Sequence, residues 1–212
     1  MADDNAVQKL DEVINKSWEL FVQQFVQGRY SITKEAPFQF HFADTINKVG
    51  NLYCFKRGES FSVDLETRKE GILGRNKYID ITCAFYNGEE TPTASAAIEL
   101  KFKKNSQGAD DEARIDAYLD IQTLEACEDY FDRAYFFMIT ESEAYSKPSK
   151  KEGSTADIFS MRNKYIPPVN KVLIPKLKSR SKNVILLKKA HEFQWRSVGN
   201  NVFLMLDIYK DR

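Results

Sequence analysis

Two β-type runs lie either side of a short polar turn, KYIDITCAFY over residues 77–86 and TASAAIELKFK over residues 93–103, and this pair limits the chain more than any other feature. Side chains on a strand alternate between two faces. In the first run Ile79, Ile81, Cys83 and Phe85 share one face, and Tyr78, Asp80, Thr82 and Ala84 share the other. In the second run Ala96, Ile98, Leu100 and Phe102 oppose Ala97, Glu99, Lys101 and Lys103. Each strand is therefore apolar on one face and carries ionisable groups near the middle of the other. Pairing through the turn at 87–92 would superimpose those faces and gather Asp80, Glu99 and Lys101 on one small patch. Charge in an otherwise apolar sheet is costly unless it is paired or bound to a metal.

Around this pair the order of elements predicts an α/β chain with a mixed central sheet flanked by helices. Val7, Leu10, Val13, Ile14, Trp18, Phe21, Val22 and Phe25 recur at three- and four-residue steps, so residues 5–27 read as a helix that ends at Gly28. Residues 38–42 and 45–49 take no clear assignment. Strands are expected over 51–55 and 60–67, forming a hairpin around Lys56-Arg57-Gly58. Two glycines make 71–76 a loop. A helix follows over 112–128, then RAYFFMIT (133–140), a continuous apolar strand expected in the middle of a sheet. Residues 146–155 read as a mobile loop, 156–164 as a short helix, and 183–187 and 202–209 as final strands joined by a turn at 199–201. The 212 residues suit one domain, with a core over about 5–145 and a basic C-terminal part over 146–212.

No apolar run approaches the ~20 residues needed to cross a bilayer, and the acidic, amphipathic N-terminus is unlike a signal peptide. Cys54, Cys83 and Cys127 are too few and too widely spaced for a disulfide framework or a zinc site, so they read as free thiols in a reducing cytoplasm. Glycine spacing offers neither a phosphate-binding loop nor a dinucleotide fingerprint. The 31 basic and 31 acidic residues cancel in sum but not in place. Residues 105–145 hold eleven acids against Arg114 and Arg133, whereas residues 161–196 hold ten basic residues against Glu192 alone. A block of one sign makes a local potential that zero net charge does not cancel. The basic block also carries Tyr165, Phe193 and Trp195, a mixture suited to a nucleic-acid backbone.

Paired carboxylates are hard ligands for Mg²⁺ or Mn²⁺, and a lysine on the same face can act on a metal-bound water. This combination suits phosphodiester hydrolysis. By composition about three Asp/Glu-x-Lys matches are expected by chance, so the tripeptide needs structural context. Glu99-Leu100-Lys101 is the single match, and it sits in a strand with a strand before it and a helix and strand after it.

Asp80, a turn, Glu99-Leu100-Lys101 within AAIELKFKK, a helix and an apolar strand together resemble the PD-(D/E)xK nuclease superfamily, over residues 60–140. The resemblance implies a restriction-endonuclease-like core and a Mg²⁺- or Mn²⁺-dependent endonuclease acting on DNA, such as a small type II restriction enzyme or phage-defence effector. It implies Asp80, Glu99 and the Leu100 carbonyl as metal ligands and Lys101 as the residue that acts on the attacking water. Ile79 stands where a proline often precedes the first acid. A further acid is expected from among Glu19, Asp64 and Glu66, and Gln122 resembles the helix glutamine of the RecB-like branch. Lys176, Lys178, Arg180 and Lys182 are the expected DNA contacts, and a homodimer is expected by analogy. Two rival classes stay open: a non-catalytic nucleic-acid-binding or assembly protein that keeps the fold, and an interaction module of unrelated α/β fold.

Overall fold

The computed structural model describes residues 4–108 and 110–209. Its elements in chain order are α1 (Asp4–Val26), α2 (Glu35–Leu52), β1 (Glu59–Ile72), β2 (Arg75–Asn87), β3 (Ala94–Lys103), α3 (Asp110–Glu125), β4 (Arg133–Thr140), α4 (Thr155–Ile158), β5 (Trp195–Val198) and β6 (Asn201–Asp207). The fold is α/β, with one six-stranded mixed sheet in the order β1-β2-β3-β4-β6-β5 flanked by helices. Among the described residues no helix is long and apolar enough to cross a membrane. The chain divides into two compact units, residues 1–100 with 127–134 and residues 101–126 with 135–212.

In the first unit the apolar stripe of α1 is buried along its length, with Leu10, Val13, Ile14 and Phe21 fully enclosed. Burying each such side chain contributes about 1.5–3 kcal/mol. The stripe meets α2 through aromatic rings: Trp18 lies edge-on to Phe42 at 5.4 Å, and Phe21 lies 5.3 Å from Phe38. Helix α2 is where the sequence misleads. The alternation Phe38-x-Phe40-x-Phe42 has a strand's period, yet Phe38, Phe42, Ile46 and Val49 are buried at helical spacing while Phe40 is 61% exposed. Pro37 is tolerated because it lies in the first turn, whose N–H groups have no helical partner. The strand expected over 51–55 is not formed: Asn51 and Leu52 end α2, and its last turns approach β1 closely. A Cβ on Gly50 would stand 2.1 Å from the Phe61 ring, so only glycine fits there.

Nor is 71–76 an open loop. β1 and β2 continue to an Ile72↔Arg75 pair. They are joined by Leu73 and Gly74, both at positive φ (+50° and +71°), as a tight hairpin turn of the favoured hand requires.

In the second unit β4 pairs antiparallel with β6, from Tyr135↔Asp207 to Thr140↔Val202, and β5 and β6 form a hairpin turning at Gly199-Asn200. Tyr118 donates to the Ser160 carbonyl at 2.6 Å and Tyr209 to the Leu124 carbonyl at 2.7 Å, tying α3 to the C-terminal half. Glu125 accepts from the backbone N–H groups of Lys188 and Lys189 at 2.8 and 2.9 Å and lies 2.8 Å from His191 Nε2. Residues 183–187 do not make the expected strand: only Ile185 bridges, to Leu173. The neighbouring prolines 167, 168 and 175 lack the N–H needed to extend a ladder. The short helix expected over 156–164 is limited to α4.

Candidate functional site

In the first unit the β2–β3 ladder runs from Phe85↔Ala94 to Ile81↔Ile98. Thr82 and Ala97 form a pair on one face, so strand alternation puts Asp80 and Glu99 next on that face. At this point a side chain takes over from the ladder: Asp80 Oδ2 accepts the backbone N–H of Leu100 at 2.7 Å. Glu99 is buried at 7% exposure. Its charge reaches Cys127, whose thiol is pushed up to about 12, first by burial and then by Glu99. Lys101 leaves β3 on the same face as Glu99, two residues on.

Helix α2 adds a residue that the sequence did not single out. Gln39 Nε2 donates to the Asp80 backbone carbonyl at 2.7 Å and to Glu66 Oε1 at 2.8 Å. Its signal was hidden in the Phe38–Phe42 segment that resisted assignment. Glu66 has φ +52°, rare for a residue with a Cβ. The β1–β2 register is the same on either side of it, Leu65↔Ile81 and Thr67↔Ile79, and the Thr67 hydroxyl lies 2.7 Å from that of Thr82. Of the three expected further acids, Glu66 is therefore linked to Asp80 through Gln39. All three are exposed; Asp64 lies across from Thr82, and Glu19 is on α1.

In the second unit Lys101 Nζ forms an ion pair with Asp120 Oδ2 of α3 at 2.8 Å, the two side chains being 19% and 23% exposed. Asp120 was not among the sequence candidates. Its helical spacing carried a signal, because Ala117, Ile121 and Leu124 around it on α3 are all buried. Gln122 is half-buried on the same helix.

The basic residues of this unit divide. Arg180 donates to both carboxylate oxygens of Asp116 at 2.8 and 3.0 Å, next to a Ser179 hydroxyl bonded to Glu112 at 2.6 Å. Lys176 donates to the Gly153 carbonyl at 2.9 Å. Lys178 and Lys182 are exposed. Part of the basic block thus neutralises the acidic start of α3, and part faces solvent.

Among the described residues no three His, Cys, Asp or Glu side chains form a group that could hold a metal ion. Magnesium is commonly held by one or two carboxylates, with substrate phosphate and water completing its shell, rather than by an all-protein cage. Asp80 and Glu99 carry carboxylate oxygens, the hard donor type that such an ion takes. No family model matches the chain, and no curated protein or solved structure gives a significant match.

Proposed function

We propose that this protein is a Mg²⁺- or Mn²⁺-dependent endonuclease with a restriction-endonuclease-like core, hydrolysing DNA phosphodiesters as a type II restriction or phage-defence enzyme. The observation that carries the reading is the 2.7 Å bond from Leu100 N–H to Asp80 Oδ2, which ties the acid of β2 to the Glu99-Leu100-Lys101 segment of β3. Asp80, Glu99 and the Leu100 carbonyl would hold the metal. When bound, a divalent ion screens phosphate charge and lowers the pKa of water. Lys101 orients the attacking water. The attacking water gives up a proton to solvent as its oxygen bonds to phosphorus, the bond to the leaving sugar oxygen breaks, and that oxygen takes up a proton from solvent. Exposed Lys178 and Lys182 contact the DNA backbone, and a homodimer cuts both strands.

The test is incubation of the purified chain with plasmid and genomic DNA, with Mg²⁺ and with EDTA, beside Glu99→Ala and Lys101→Ala. The expected result is cleavage by the wild type in Mg²⁺ alone and by neither variant, with thermal unfolding preserved. Full cleavage by either variant, or no Mg²⁺-dependent cleavage by the wild type, overturns the proposal.

A further inference from the structure

We infer that Asp120 is the positioning residue for Lys101, an inference that rests on the nuclease reading. A lysine carries its charge on four methylenes and has about 2 kcal/mol of rotamer entropy to lose when fixed. An ammonium at the end of such a stem holds a reacting oxygen in place only if something else holds the ammonium. Asp120 supplies that hold: its Oδ2 is 2.8 Å from Lys101 Nζ and is sealed from solvent. The carboxylate is itself rigidly mounted, since α3 is anchored on either side of it by the fully buried Ala117, Tyr118, Ile121 and Leu124. A carboxylate oxygen without access to water must be compensated, and Lys101 Nζ stands within ion-pair distance of it. The pair therefore restrains both members: the helix sets the carboxylate and the carboxylate sets the ammonium. Asp120 acts through Lys101 and touches no reacting atom.

The test uses the full-length wild type, Asp120→Asn and Asp120→Glu, with plasmid cleavage in Mg²⁺, duplex affinity without divalent ion, and thermal unfolding. Partners that orient metal ligands contribute 10–100-fold to activity, and by the same orienting logic Asp120→Asn is expected to lower kcat about 10-fold or more with KM and duplex affinity unchanged. Asp120→Glu restores the charge one methylene away. If Asp120 only balances charge, Glu recovers wild-type kcat; if it positions Lys101, the glutamate variant unfolds like the wild type and still cleaves slowly. Wild-type kcat in a folded Asp120→Glu overturns the inference even where Asp120→Asn does not fold, and leaves the nuclease reading standing. A wild type without Mg²⁺-dependent cleavage removes the nuclease reading and the inference with it.

Discussion

The Asp80 carboxylate and the backbone nitrogen of Leu100 stand 2.7 Å apart, at the point where a side chain replaces a ladder partner between β2 and β3. The acid is held by the same strand that carries Glu99, so its placement does not depend on a free rotamer. Asp80→Ala leaves the Leu100 N–H without this acceptor, a loss of about 1–3 kcal/mol. Asp80→Asn can turn its amide oxygen to the same donor and keep most of that stability while removing the charge. Thermal unfolding should rank wild type, Asp80→Asn, Asp80→Ala, with cleavage lost in both variants. Equal destabilisation of the two would show that the bond is not what stabilises this junction.

Glu66 holds a left-handed backbone conformation that costs a residue with a Cβ about 1–2 kcal/mol. Glycine adopts it without that clash. Glu66→Gly should therefore be more stable than Glu66→Ala by about 1 kcal/mol in urea unfolding, and in the nuclease reading both cleave more slowly because the carboxylate bonded to Gln39 is gone. Wild-type cleavage by Glu66→Gly would remove Glu66 from the site.

The two-pronged contact of Arg180 with Asp116 is about one-third exposed at each end. Exposed pairs contribute about 0.2–1 kcal/mol, so Arg180→Ala should lower stability by no more than that. Lys178 and Lys182 should behave differently. Replacing both with alanine should leave unfolding unchanged, weaken DNA binding, and reduce the slope of log affinity against log salt by about 2, near 0.9 for each phosphate that is no longer neutralised. An unchanged slope places the DNA elsewhere.

Burial pushes the thiols of Cys83 and Cys127 up from 9.0 to about 12. In the unfolded chain they ionise near the ordinary value, so above it the folded state binds more protons than the unfolded state. The stability concerned is fully present below pH 9.0 and is lost as pH rises toward about 12. Unfolding midpoints measured from pH 8 upward should fall through that window, and less steeply in Cys83→Ala once its own change in stability is subtracted. Thiolate is the reactive form, so both thiols should resist a disulfide reagent near neutral pH until the protein unfolds, while half-buried Cys54 reacts earlier.

Several elements were readable before any fold was known. The helical spacing from Val7 to Phe25 marks α1, alternation marks β2 and β3, and the unbroken apolar run marks β4. These signals are local: α1 buries one face and shows one period, and β4, buried on both faces, shows an unbroken apolar run. Helix α2 defeats the same reasoning, since its phenylalanines satisfy a two-residue period as well as a helical one, and only burial of Phe38 and Phe42 without Phe40 chooses between them. The 183–187 segment has strand composition, but a ladder needs a partner with N–H groups, and its neighbour is rich in proline.

The candidate site divides along the same line. That Asp80 and Glu99 lie on one face follows from alternation within two strands joined by a short turn. That Asp80 grips Leu100, that Gln39 joins Glu66 to the Asp80 carbonyl, and that Asp120 meets Lys101 became visible only with the chain folded. Periodicity tells which side of its own element a residue occupies. Which remote group comes within 3 Å of it depends on how separate elements approach one another, and that is set by core packing rather than by any neighbouring residue.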